Sequence, residues 1–315
     1  MPASTIAICS DPRAFEAAVQ RGCSMELFVT GNGQFRAELI SIMLPQLRLL
    51  RGKEQLSRIA AVSVAPKSLL VILPIDPEQP QTCGGVRLGS GEIMTVTAGE
   101  RLHLWTGGPC FWGIISVSAK EFASYGRAVV GRNFTLAPGV RCLQPSRQSL
   151  RSLNALFRAA LRLTEAQPRT PVRSDEAMKG LEQEAIRALL ECVSTATEQA
   201  NPAAHTHRAT MVGLDELLQK NGRIPHLSDI CVALGITSRT LQACCRQQVG
   251  VSPTRYLRML AMRRVCNTLM RSHPGTASVS QIAKCYGFTG TGRFAAAYRR
   301  QFGEFPSATL RRDAT

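Results

Sequence analysis

The chain reads as an α+β protein of more than one domain, β-rich on its N-terminal side and all-α on its C-terminal side. Three observations predict this. Residues 25–118 carry short apolar runs separated by glycine, proline and asparagine clusters, the pattern of short strands joined by frequent turns. Residues 227–303 carry two copies of a helix, a glycine corner and a second helix. The charge is unevenly placed: the net charge is +16 over 315 residues, and residues 208–315, with 16 Lys+Arg against 5 Asp+Glu, hold +11 of it. A chain of this length can bury two cores, and a positive field of that size favours phosphate backbones.

Taken in order, Asp11-Pro12 starts a short helix, a capping residue followed by proline at the first helical position. It runs to about Gln20 and stops at Gly22. Phe35, Ala37 and Leu39 then alternate with Arg36 and Glu38, residues 69–73 form a branched apolar run, and further strands are expected over 92–96, 101–106 and 111–117. The turns between them fall at Gly31-Asn32-Gly33, Gly84-Gly85, Gly89-Ser90-Gly91 and Gly107-Gly108-Pro109. Two helices follow, one with Leu150, Leu153, Phe157 and Leu161 on one stripe, the other with Met178, Leu181, Ala185, Leu189 and Cys192. Ser174, Asp175 and Glu176 suit the start of the second by capping and by the helix dipole. Such a pair packs on the β region or against a second copy; packing within the chain is the simpler expectation. Residues 199–207, with Asn201-Pro202, read as a linker. The expected division is 1–145, 146–207 and 208–315.

In the first helical copy, residues 227–247, Ile230, Ala233, Leu234, Leu241, Cys244 and Cys245 are apolar at helical spacing, while Ser238, Arg239, Gln242 and Arg246 fall on the other face. In the second, residues 279–303, Ile282, Ala283, Phe294, Tyr298 and Phe302 form the stripe, and Thr291, Arg293, Arg299 and Arg300 lie off it. Gly235 and Gly287 permit a sharp corner, and Thr237 and Thr289 are expected to cap the second helix of each copy. Gly290 and Gly292 open the last of these helices, where glycine costs about 1 kcal/mol against alanine. Between the copies, Ser252-Pro253 begins a helix that ends near Arg271, before His273-Pro274.

Two basic helix-turn-helix units in tandem resemble the DNA-binding domain of the AraC/XylS family of bacterial transcription regulators. The residues that carry the resemblance are Ser252-Pro253 with Tyr256-Leu257, Ile282-Ala283, Gly287-Phe288, Arg293-Phe294, Tyr298-Arg299 and the stretch Phe302-Gly303-Glu304-Phe305-Pro306-Ser307. It covers about a third of the chain. Cys245 departs from it, standing where the family has a large apolar residue. The resemblance implies that the β region is a cupin-like jelly roll that senses a small molecule, and that the helices after it dimerise. From the residues themselves, Ser238, Arg239, Gln242, Arg246, Thr291, Arg293 and Arg300 are the expected DNA contacts, with Leu241, Phe294, Tyr298 and Phe302 in the core. Double-stranded DNA is the partner this requires. RNA polymerase, an effector of unspecified chemistry and a second copy of the chain are further candidate partners.

Phe35, Trp105, Phe111 and Trp112, with Arg36, Arg101 and His103 between them, sketch an effector pocket of apolar walls and few polar groups. No cofactor or metal is expected, because the β region offers only His103 as an imidazole ligand. Eleven cysteines without a regular spacing read as reduced thiols of a cytoplasmic protein. No leader and no membrane span is expected. Two rivals stand beside the regulator: an architectural DNA binder, which would show little sequence preference, and a cysteine-dependent acceptor of DNA alkyl groups. For the latter, Cys83 is the one cysteine expected in an exposed loop, and an activated thiolate is required.

Overall fold

Period-two alternation builds the N-terminal half. In the computed structural model, which describes residues 4–20, 23–75, 78, 81–131, 134, 136–166, 175–199, 201–220 and 224–312, the order begins β1 (Ser4–Cys9), α1 (Pro12–Val19), β2 (Cys23–Val29), β3 (Ala37–Met43), β4 (Leu47–Glu54), β5 (Arg58–Val64) and β6 (Ser68–Pro74). It continues through β7 (Thr82–Cys83), β8 (Val86–Arg87), β9 (Ile93–Val96), β10 (Arg101–Thr106) and β11 (Cys110–Ser118) to α2 (Ala119–Val129), β12 (Val140–Gln144), α3 (Arg147–Ala166), α4 (Asp175–Ser194) and β13 (Thr197–Glu198). All pairings are antiparallel; the larger sheet has the order β1-β3-β4-β11-β6-β9-β12-β13 and the smaller β2-β5-β10-β7-β8. The two face each other across a core that holds Phe15, Leu27, Leu39, Leu50, Val62, Leu104 and Trp112. The all-β expectation is met by this two-sheet sandwich.

The larger sheet is covered on both faces, which explains why its strands read as unbroken apolar runs. Leu70 and Ile72 of β6 face the sandwich interior, while Leu69, Val71 and Leu73 join a second core with Leu153, Phe157, Met178 and Leu189 of α3 and α4. The stripes expected on those two helices are buried within the chain. The smaller sheet keeps clean alternation: Met25, Leu27, Val62, Leu102 and Leu104 point inward, and Phe28, Ile59, Arg101, His103 and Trp105 point outward.

Strands β1 and β12 had no local signal of their own, whereas α2 went unexpected although its cap, Ser118, accepts from Glu121 N at 3.4 Å. The capping of α1 is as expected, Asp11 Oδ1 accepting from Ala14 N at 2.9 Å; the stop at Gly22 and the cap at Ser174 lie outside the described residues. The expected linker is corrected. From Pro202 onward it is the start of a helix, α5 (Pro202–Lys220), because Asn201-Pro202 is a helix start: Asn201 Oδ1 accepts from Ala204 N at 2.9 Å, with proline at the first position. After α5 come α6 (Leu227–Leu234), α7 (Ser238–Val249), α8 (Pro253–Met270), α9 (Val279–Cys285), α10 (Thr291–Phe302) and α11 (Pro306–Arg311).

The sandwich interior is filled. Arg58 and Glu54 form a buried ion pair at 3.1 Å, Trp112 Nε1 donates to Glu54 at 2.7 Å, and Arg58 also donates to the Leu104 carbonyl at 3.0 Å. The cavity left beside them measures about 20 Å³, room for one water and no more. Among the described residues no helix is long and apolar enough to cross a membrane, and no group of three or more His, Cys, Asp or Glu converges as metal ligands.

Candidate nucleic-acid interface

Each helix-turn-helix unit is assembled around its own core. In the first, α6 ends at Gly235 with φ 63°, a conformation that a side chain would strain. Thr237 then caps α7, accepting from Thr240 N at 3.1 Å. Leu241, Cys244, Cys245 and Val249 are buried against Ile230, Met211 and Tyr256. Cys245 occupies its large-residue position by packing beside the Met211 thioether, 3.9 Å away. The opposite face of α7 presents Ser238, Arg239, Gln242 and Arg246, all exposed. This is the grouping the sequence predicts.

The second unit repeats the plan with one difference. Phe294, Tyr298 and Phe302 are buried, and Tyr298 OH donates to Thr309 Oγ1 at 2.9 Å, fixing α11 beneath α10. Arg293 and Arg300 are exposed on the far face, and Arg299 lies over the Phe305 ring at 4.8 Å. Thr289 does not cap this helix. The cap position is Gly290, with no side-chain bond, because the helix starts one residue later than in the first unit. Glycine at a cap costs only a few tenths of a kcal/mol, so of the two glycines only Gly292 weakens the first turn. The side chain of Thr291 lies outside the described residues.

Joining the units, α8 is capped by Ser252, with Pro253 at its first position, and ends at Met270 with Arg271 as its cap. Its apolar side holds Leu257, Ala261, Met262, Val265 and Leu269 against the two units.

The expected effector residues do not gather in one place. Arg36 is exposed beside Ile8 and Lys53. Phe35 and Trp112 are sandwich core, and Phe111 faces out under Lys53. Arg101, His103 and Trp105 share the outer face of β10, where the C-terminal helices dock, for a strand's alternate residues fall on one face. Trp105 Nε1 donates to the Gln247 carbonyl at 3.0 Å, and His103 Nε2 pairs with Tyr256 OH at 2.8 Å. Burial pushes His103 down to about 4 and Asp215 up to about 7, the latter partly offset by Arg101. The 3.6 Å approach of His103 to Asp215 is therefore a neutral polar contact at mildly acidic pH rather than an ion pair. These residues border a cleft of about 780 Å³ between the smaller sheet and helices α5 and α8, which Arg101, Arg264 and Arg271 also line.

Cys83 is corrected too. It lies on β7, fully buried, and burial pushes its thiol well above the ordinary range, the opposite of an activated thiolate. The exposed cysteine among the described residues is Cys285.

Sequence reasoning missed the docking residues. Gln247, Gln248, Arg255 and Arg263 look like ordinary polar positions on basic helices, and their partners in the N-terminal half lie more than 140 residues away. Nothing local marks them.

A family model described as a helix-turn-helix domain matches residues 230–312. The chain is 36% identical over 78 residues to the probable thc operon regulatory protein of Rhodococcus erythropolis, covering 25% of this chain and 24% of that one. It is 33% identical over 99 residues to XylDLEGF operon transcriptional activator 1 of Pseudomonas putida, covering 31% of this chain and 29% of the relative. The match thus spans less than a third of the length of these relatives. The crystal structure of the AraC-like transcriptional activator CuxR aligns with 90% of this chain and 99% of its own, at 16% identity and a TM-score of 0.42. With two helix-turn-helix units on their own cores, a linking helix, the matching family model and the operon-regulator relatives, residues 230–312 are a helix-turn-helix domain of the AraC/XylS type.

Proposed function

We propose that the whole chain is a sequence-specific, DNA-binding transcription regulator in which α7 and α10 enter successive major grooves of double-stranded DNA. The observation that carries this is the matched exposure of the two helices. Each buries an apolar face and offers a polar and basic one, with Ser238, Arg239, Gln242 and Arg246 on the first and Arg293 and Arg300 on the second. Side chains of these types read base edges or hold phosphates. The 18 residues of α8 span about 27 Å at 1.5 Å each. With the width of the packing at its ends, that suits grooves about 34 Å apart on one face of the duplex. Because the readers differ in sequence, one chain would recognise two unlike half-sites.

In this reading a small effector acts through the N-terminal β region, and RNA polymerase is the machinery whose access the bound chain governs, in the cytoplasm. The filled sandwich interior favours the cleft beside Arg101 and His103 as the place an effector would occupy. Arg36 is remote from it.

Selection from a randomised duplex library by the full chain tests the proposal. A bipartite consensus with two dissimilar halves about one helical turn apart is the expected result. Uniform recovery of all sequences would instead support an architectural binder.

A further inference from the structure

The two recognition helices are held in the same way by the same body. At the C-terminal end of α7, Trp105 Nε1 donates to the Gln247 carbonyl at 3.0 Å, Gln247 Nε2 donates to the Gly85 carbonyl at 3.1 Å, and Gln248 Nε2 donates to the Gly84 carbonyl at 3.2 Å. The Trp105 ring lies so close over Gly250, the positive-φ residue that ends the helix, that a side chain there would come within 2.6 Å of it. Near the C-terminal end of α10, Arg300 donates to Asn32 Oδ1 at 3.3 Å. The residue that ends this helix, Gly303, abuts Asp11, and Glu304 lies 3.9 Å from Arg13.

Between these grips, α8 is fastened along its length. Arg255 donates to the Thr30 carbonyl at 2.8 Å. Arg263 is buried, paired with both oxygens of Glu16, donating to the Leu27 carbonyl at 2.7 Å, and flanked by the rings of Phe28 and Phe302 at 5.3 Å each. Every one of these partners belongs to the N-terminal sandwich or its first helix, apart from Phe302, which belongs to the second reader. The N-terminal turns of both readers, which face base edges in helix-turn-helix docking, are left outside this grip.

We infer that the sandwich is a brace that sets the separation and mutual rotation of the two readers, so that Trp105 and Asn32 are positioning residues that decide which half-site spacing the chain accepts. The inference rests on the proposal that both α7 and α10 read DNA. The physical ground is mechanical. The two units have separate cores joined by one helix, and single helices bend. The sandwich grips the first unit through β10 and the Gly84-Gly85 turn and the second through Asn32 and the start of α1; with a buried ion pair midway, that double hold resists the bending. The consequence is selectivity for spacing, a property that neither reader has alone.

The test uses the full chain and the bipartite site it selects. One base pair inserted between the halves displaces the second by about 3.4 Å and rotates it by about 35°. The parent should lose about tenfold in affinity on that change. Trp105→Phe keeps the ring but removes the bond to Gln247, and Asn32→Ala releases Arg300 from an exposed loop. Measured against its own affinity for the selected site, the double variant should lose only about twofold on the insertion. An insertion penalty equal to the parent's overturns the brace. So does an equal loss at every spacing with a lowered melting temperature, which marks the two residues as merely holding the fold; Asn32→Ala alone, on its exposed loop, keeps the comparison readable. A parent that selects a single undivided site sinks the two-reader reading beneath this inference, a result distinct from an unchanged penalty.

Discussion

Replacing Asp215 by asparagine should expose an acid sensitivity that the His103–Asp215 pair cancels in the parent. In the folded chain His103 is pushed from 6.5 down to about 4, and Asp215 from 3.8 up to about 7, both by burial where β10 meets α5 and α8. Each shift has a sign. The lowered histidine contributes stability that is present above 6.5 and is lost as pH falls through 4. The raised carboxyl does the reverse: its contribution is complete below 3.8 and is lost as pH rises through 7. Between about 4 and 6.5 the folded pair holds one proton, on Asp215, and the unfolded pair also holds one, on His103. The two slopes cancel, so the pair's own contribution to parental stability is flat across that window.

Asp215→Asn removes one slope. The variant should lose about 3 kcal/mol between pH 6.5 and 4, the histidine shift at about 1.4 kcal/mol per pH unit. Above pH 7 it should be more stable than the parent, by up to about 4 kcal/mol, because no buried carboxyl must ionise. Urea midpoints measured from pH 4 to 8, followed by tryptophan fluorescence and by circular dichroism, check both limbs. Parallel profiles for parent and variant would refute the reasoning, since they would mean that one or both groups titrate normally in the folded chain.

Other outcomes follow from the same geometry. Arg239→Ala should cost about 1–3 kcal/mol on the selected site and relax preference at one or two base pairs; a uniform loss across sequences would make Arg239 a phosphate contact. Affinity of the parent should fall steeply with salt as counterions are released, measured by fluorescence anisotropy from low to physiological salt. Glu16→Gln leaves the buried Arg263 charge unpaired and should destabilise the protein by about 3–5 kcal/mol, read as a shift in the urea midpoint. Exhaustive chelation should leave DNA binding unchanged, and a stoichiometric metal surviving gel filtration would contradict that expectation.

The C-terminal half was legible because its signals are local. Thr237, Gly235, Ser252 and Pro253 act on neighbours within four residues, and the stripe of Phe294, Tyr298 and Phe302 is a period that one helix displays by itself. The β half was legible only in outline. Strand β6, buried on both faces, loses the alternation that distinguishes a strand, and β1 is identified by its pairing with β3 rather than by its own composition. The site divided along the same line. Exposed basic residues on α7 were readable from helical phase, whereas Trp105 and His103 looked like pocket lining. What they touch is set by a contact with Gln247 and Tyr256, 142 and 153 residues further on. The Asn201-Pro202 pair carried a correct local signal that was given the wrong meaning, since an N-cap and a linker share those residues.

Phe28 and Ile59 of the smaller sheet are fully buried members of the same core as Ile230 and Leu241 of the first helix-turn-helix unit and Tyr256 of α8. The interior of that unit is thus completed by residues of the N-terminal sandwich. Such a protein is a poor donor for domain shuffling. A chimera that joined this helical half to an unrelated N-terminal domain would leave a hole where two side chains had been, and one that paired this sandwich with a foreign helical domain would expose an apolar row to water. Fusions that recombine these halves should therefore succeed only when positions 28, 59 and 105 travel with the helices that cover them.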